Sequence, residues 1–219
     1  MTTCSPAGRC RVAARQRAGA HARAPRHRFD AVAMAWHAHR IARARMRPLR
    51  VMTYNIHSGR GADRRVDLAR IAAVITSYAP DVVALQEVDV GRERSGQIDQ
   101  AAELADRLAM EARFVGCVEE GCERYGIATL SRWPIEETRT VMLPHGPQSE
   151  RRAALLLWLR WPGRGRRLEL VNTHLSTNGR ERIEQVAVLA AAIGDGDVVL
   201  AGDLNCSSTS RPYRSLCTS

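Results

Sequence analysis

At 219 residues the chain is long enough for one domain with a sizeable core, with some chain to spare for an arm. Its net charge of +10 is uneven: 12 of the 33 Arg and a single acid, Asp30, fall in residues 1–50, so residues 51–219 carry 21 Arg and 22 acids, a net of −1. No apolar run approaches the roughly 18 residues of a spanning helix, and the leader lacks the apolar stretch of a secretory signal, which argues against a membrane-spanning or exported protein and predicts a cytoplasmic one.

Residues 1–47 are rich in Arg and Ala without a sustained hydrophobic period, and are expected to stay outside any core as a disordered leader; residues 48–219 form the domain. Two readings of the leader stand, an anion-binding arm or an upstream stretch with Met46 as the natural beginning, and the second is preferred because the arm lacks aromatics and a helical stripe. All basic residues are Arg, which together with the Ala content reads as the coding bias of GC-rich DNA. The six Cys form no CxxC pair and no zinc-finger spacing, and read as reduced thiols of a cytosolic protein.

From Leu49 the pattern becomes regular. A strand over Leu49–Tyr54 is followed by a helix with Ile71, Val74, Ile75 and Tyr78 on one face, closed by Pro80. Next come a strand over Asp81–Gln86 and a helix burying Ile98, Ala101, Ala102, Ala105, Leu108 and Ala109. Further strands are predicted over Arg113–Cys117, Ile127–Leu130, Thr138–Leu143, Ala153–Trp161 and Leu168–His174, the last two joined through Gly163-Arg164-Gly165. A third helix carries Ile183, Val186, Ala187, Ala190 and Ile193, opened by Asn178 with Glu181 three residues on and ended by Gly194; a strand over Asp197–Ala201 closes the series. Mixed strands and helices with hairpins in the middle predict an α/β domain with two stacked sheets.

Four of these strands end in polar patches: TYN at Asn55, LQE at Glu87, NTH at His174, and GDLN with Asp203 and Asn205. Taken singly each has an ordinary explanation, since a Glu after a strand is usually solvated and Asp-x-Asn is a common turn former. Gathered at one rim they suit phosphoester hydrolysis. The phosphate charge repels a nucleophile and the leaving alkoxide is poor, and a divalent cation offsets both problems. Mg2+ needs only one or two carboxylates beside the phosphate, and Glu87 is the expected ligand. Asp203 can align or deprotonate water, Asn205 and Asn55 can donate to developing charge, and His174 can contact phosphate as an imidazolium or protonate the leaving oxygen. His57 ranks below these positions.

In this order the patches resemble the endonuclease/exonuclease/phosphatase superfamily, on its DNase and sphingomyelinase side. The resemblance rests on TYNIHSG from Thr53, PDVVALQEVD from Pro80, YGIATLSRWPI from Tyr125, Arg152 in ERRAAL, NTHLS from Asn172, ERIEQ from Glu181, and GDLN. It implies a four-layer α/β/β/α sandwich and a metal-dependent phosphodiesterase, nuclease or phosphatase that uses Mg2+, with Mn2+ as the alternative, to activate water. By similarity Glu87 and Asn55 fall on the metal site, Asn55 and Arg152 at the substrate phosphate, His174 on a catalytic histidine, and Asp203 and Asn205 on the pair that orients the nucleophile. GRERSGQIDQ and LSRWPI are similar to bacterial members. Lipid headgroups and small phosphodiesters are at least as expected as nucleic acid, because the near-neutral domain offers no electrostatic support for binding a polyanion.

Two departures from the family pattern stand out. Ile127 occupies a position where many relatives carry Asn. The relatives also continue beyond GDLN to a Ser-Asp-His motif, whereas 14 residues follow Asn205 here and contain no Asp-His pair. The fold is therefore expected to be incomplete at the C-terminus, with two consequences to weigh: a truncated, inactive remnant that at most binds phosphate or a partner, or completion by a missing C-terminal segment supplied in trans.

Overall fold

The structure, a computed structural model, describes residues 48–161 and 167–217, all within the unit His39–Ser219. The leader 1–47 and the Gly163-Arg164-Gly165 loop lie outside the described residues. In chain order the elements are β1 (Val51–Asn55), α1 (Leu68–Tyr78), β2 (Val82–Val90), α2 (Gln100–Leu108), β3 (Glu111–Glu120), β4 (Glu123–Ser131), β5 (Ile135–Leu143), β6 (Arg152–Arg160), β7 (Arg167–His174), α3 (Gly179–Ala192), β8 (Val198–Asp203) and α4 (Arg211–Cys217). Two sheets form, with strand orders β1-β2-β4-β3 and β5-β6-β7-β8. The outer pairs β1–β2 and β7–β8 are parallel, and the remaining pairs are antiparallel.

Strand alternation builds the expected four layers. On β6, Leu155, Leu157 and Leu159 point inward and join Val82, Ile127 and Leu170 in the layer between the sheets, while Leu156 points outward to Val171, Val186 and Leu189 beneath α3. On the first sheet, Val83, Leu85 and Val88 meet Ile71, Ile75 and Leu104 of α1 and α2. Each fully buried Leu or Ile contributes about 1.5–3 kcal/mol, so these three apolar layers dominate the stability of the domain. No helix among the described residues is long and apolar enough to cross a membrane.

Six side chains expected on buried helix faces are exposed: Ala102, Ala109 and Ala187, and the larger Tyr78 at 67%, Ile98 at 38% and Ile183 at 46%. Tyr78 is the last residue of α1, which stops because Ala79 turns left-handed (φ 45°). Ile98 precedes α2, whose first turn is capped by Asp99 accepting from the Ala102 amide at 2.9 Å. Ile183 is displaced by polar residues, since Glu181 and Gln185 take the buried face of α3. Glu181 accepts from the Ser149 and Ser176 hydroxyls and from the Gly146 amide, and Gln185 bonds the Ser176 amide and the Pro144 carbonyl. The ERIEQ segment thus clamps two loops rather than filling an apolar stripe. The reciprocal cap expected of Asn178 and Glu181 runs through Ser176, whose hydroxyl accepts from the Asn178 amide and donates to Glu181. These hydrogen bonds hold the Glu181 carboxyl below its ordinary range.

Helix α4 was not foreseen, and α3 ends at Ile193 in extended conformation rather than at Gly194. Ile127 is buried in the layer between the sheets, so its side chain packs as core.

Candidate active site

The carboxylate of Glu87 reaches the rim through a break in strand pairing. Gln86 pairs with Ile127 and Val88 with Gly126, leaving Glu87 as the extra residue of a bulge with φ 58°. A second bulge on β3, at Cys117, lies across the same Gly126. Gly126 is required there, because a Cβ would sit 1.9 Å from the Val115 carbonyl oxygen. A similar close approach precedes Asp203: Gly202 has φ 155°, and a Cβ on it would stand 2.1 Å from the Thr173 carbonyl oxygen. His57 (φ 49°), Ser58 (φ 54°) and Asn205 (φ 47°) add three more left-handed residues around the rim. Such conformations persist where the surrounding packing over-determines them, as at binding sites.

Asn55, at the end of β1, joins the two carboxylates. Its Nδ2 donates to Glu87 Oε1 at 2.8 Å and to Asp203 Oδ2 at 3.1 Å, while its Oδ1 accepts from the His57 amide at 3.1 Å. Asn55 thus reaches across 32 and 148 positions of sequence to hold both carboxylates with one amide group. His57, ranked low from the sequence, lies within 3.2 Å of Glu87 Oε2 through Nδ1. Asn205 orders Asp203: its backbone N–H donates to Asp203 Oδ1 at 3.0 Å, and its Nδ2 donates to the Leu175 carbonyl at 2.9 Å. Burial works against the charged form of Asp203, but the bonds from Asn55 and Asn205, with the nearby His174 and Arg152, outweigh it and hold the carboxyl below its ordinary range.

His174 stands 3.7 Å from Asp203 Oδ2 through Nε2, beyond hydrogen-bonding distance. Behind it, Arg152 Nη1 lies 2.9 Å from His174 Nδ1. A guanidinium has no acceptor, so Nδ1 must present its lone pair and the ring proton sits on Nε2, facing the site. Burial and the Arg152 charge together push the imidazole from its ordinary 6.5 down to about 4, so the imidazolium expected from the sequence is replaced by a neutral ring with an Nε2–H donor. Arg152, expected at the substrate phosphate, is itself buried, pairs with Glu150 Oε1 at 2.8 Å, and sits behind His174.

This shift fixes a pH effect on stability in metal-free buffer. The unfolded chain protonates His174 near 6.5 and the folded chain near 4, so unfolding takes up a proton between these values. Stability is expected to fall as pH is lowered from 6.5 to 4, and His174→Gln should flatten that dependence. Urea midpoints at pH 7 and pH 4.5 for both proteins check it.

The oxygen-rich donor set bears on metal binding. Two carboxylates held around one amide make a locus of negative potential, and Mg2+ asks for one or two carboxylates at most, its other ligands being water and phosphate. Among the described residues no group of three or more His, Cys, Asp or Glu is gathered in one place as an all-protein metal cage. Among the described residues Cys117 is a free thiol pushed up to about 12 by burial, and Cys122, also free, forms no bridge with it.

Sequence reasoning missed the wall beside Glu87. Arg94 binds the buried Asp89 carboxylate through Nε and Nη2 at 2.8 and 2.7 Å and lies 5.2 Å over the Tyr125 ring. The GRERSGQIDQ segment was the available signal, but nothing in it says which way its arginines face.

Residues 52–219 match the Endonuclease/Exonuclease/phosphatase family. An endonuclease/exonuclease/phosphatase from Beutenbergia cavernae DSM 12333 is 34% identical, with a TM-score of 0.62 over 75% of this chain and 50% of that one, so the chain spans half the length of that relative. The mannosyl-6-phosphatase Bt3783 of Bacteroides thetaiotaomicron VPI-5482 (18% identity, TM-score 0.64, 78% of this chain and 70% of that one) shares the fold. So does the human Nocturnin catalytic domain with bound sulfate (22%, 0.63, 78% and 70%). No curated protein matches the sequence.

Proposed function

The chain belongs to the endonuclease/exonuclease/phosphatase family, whose members are phosphoesterases, nucleases and phosphatases, and from that premise we propose that it is a metal-dependent phosphoester hydrolase. The observation that carries the reading is the Asn55 amide donating to both Glu87 and Asp203. Like charges drawn together in this way are stabilised further by a cation. Glu87 would hold the ion, with Asn55 directing its carboxylate, and Mg2+ or Mn2+ when bound would neutralise phosphate charge and stabilise the departing alkoxide.

The other residues act on the water and the phosphoryl oxygens. Asp203 accepts a hydrogen bond from the attacking water and orients it, and Asn205 keeps the Asp203 carboxylate in place through its backbone N–H. His174 donates Nε2–H to a phosphoryl oxygen, its tautomer set by Arg152. In this role Arg152 is a positioning residue.

The test is release of p-nitrophenol from bis(p-nitrophenyl) phosphate by the full chain. Turnover should vanish with EDTA, return with Mg2+ or Mn2+, and in Glu87→Gln require roughly 10- to 100-fold more metal for half-maximal rate. Turnover indifferent to EDTA and to Glu87→Gln rejects the proposal. Mg2+ and phosphate binding without any turnover would instead favour a phosphate-binding role.

A further inference from the structure

Two arms of hydrogen bonds support the reacting residues, and both end on one carboxylate that lies outside the site. Glu181, in the first turn of α3, is buried and accepts from the Ser149 and Ser176 hydroxyls and from the Gly146 amide. Resting on the hydrolase reading, we propose that Glu181 is a positioning residue for the reaction, the common anchor that holds His174 and Asp203 in register with each other.

The first arm runs through Ser149. Glu150 follows it in the chain and takes Arg152 Nη1 at 2.8 Å, and the same Nη1 lies 2.9 Å from His174 Nδ1. Pro147, Gln148 and Glu150 are exposed, so this loop is fixed from α3, by Glu181 at Gly146 and Ser149 and by Gln185 donating to the Pro144 carbonyl at 2.8 Å.

The second arm runs through Ser176, which α3 grips at backbone and side chain. Arg182 Nη1 donates to its carbonyl at 2.6 Å, Gln185 Oε1 accepts from its amide at 2.8 Å, and its hydroxyl donates to Glu181 Oε2 at 2.7 Å. Leu175, just before it, accepts from Asn205 Nδ2 and donates its amide to the Asp203 carbonyl, both at 2.9 Å. Asn205 in turn orders the Asp203 carboxylate.

Removing the Glu181 carboxylate strips three donors on two loops of their shared acceptor, and a displacement of about 1 Å at the reacting groups is enough to cost rate. The metal side has its own support, since Glu87, on the first sheet, is held by Asn55 and His57. Alignment of the reacting groups and retention of the ion should therefore separate on mutation.

Glu181→Ala and the milder Ser149→Ala are compared with the parent chain, with urea unfolding to confirm that each folds. With bis(p-nitrophenyl) phosphate both should lose roughly 10- to 100-fold in kcat, with the Mg2+ concentration for half-maximal rate unchanged. In metal-free buffer the His174 ring is followed by NMR, a readout independent of turnover. Arg152 from β6 favours the neutral ring, whereas Asp203 from β8 and Glu87 from β2 favour the charged one. Loosening Arg152 should thus move the titration of the ring from about 4 towards 6.5 in both variants, which loss of stability alone would not do. If Glu181→Ala fails to fold, Ser149→Ala decides. Folded variants with the parent kcat, or with the parent His174 titration, overturn the proposal. A shifted titration without hydrolysis by the parent chain sustains the positioning role and counts against the hydrolase reading.

Discussion

Asp203→Ala is expected to lower kcat/KM toward an activated phosphodiester by about 1,000-fold while leaving Mg2+ binding in place. The magnitude follows from how strongly the fold commits this one carboxylate. Asn205 fixes Oδ1, Asn55 fixes Oδ2, and a glycine is required immediately before it for the chain to pass Thr173. Its carboxyl is held below the ordinary range, which makes it a weak proton acceptor at neutral pH and a constant hydrogen-bond acceptor. In the proposed mechanism its contribution is orientation of water, and the rate should then show no ionisation of Asp203 between pH 5 and 8. Steady-state assay of the variant beside Mg2+ titration checks both halves. An Asp203→Ala chain with rates within about tenfold of the parent would remove Asp203 from the reaction.

Asn172→Ala is expected to destabilise the domain by about 3 kcal/mol. This side chain, fully buried on β7, is a polar link between the two sheets. Its Nδ2 donates across the apolar layer to the Ala128 carbonyl at 2.8 Å and to the Leu85 carbonyl and Thr129 hydroxyl at 3.2 and 3.3 Å, and its Oδ1 accepts from Gln86 Nε2 at 2.9 Å. Truncation leaves the Gln86 amide without this acceptor and opens a cavity in a layer where little water can enter. Gln86 also precedes the Glu87 bulge, so loosening here should reach the site. Urea unfolding with a constant m-value measures the loss, and a change under about 1 kcal/mol would mean that the sheets are held by apolar packing alone.

The same residue shows where sequence reading stops. Asn172 sits in the NTH patch next to a catalytic candidate, yet its side chain faces the core, and only the alternation of β7 against a second sheet distinguishes the two directions. Ile183 and Glu181 make a parallel case on α3, where hydrogen bonds to two loops turned the buried face away from the apolar stripe. Tyr78 and Ile98 failed differently, at helix ends, where a left-handed Ala79 and an Asp99 cap set limits that apolar spacing does not encode.

What the sequence determined by itself was the set of elements other than α4 and the stacking of two sheets, because period-2 and helical spacing of apolar residues record which faces leave water. It also placed Asn55, His174 and Asp203 at strand ends, since polar residues that follow buried runs must emerge where the strands stop; Glu87, expected just past a strand ending at Gln86, instead sits inside β2, which continues through the bulge to Val90. Tertiary structure alone decided which atoms of those residues meet. The left-handed bulge that turns Glu87, the Asn55 amide shared by two carboxylates, and the Arg152 charge that keeps His174 neutral all join residues distant in the chain. Hydrogen-bond direction and desolvation depend on those neighbours, and no local pattern of residue types carries them.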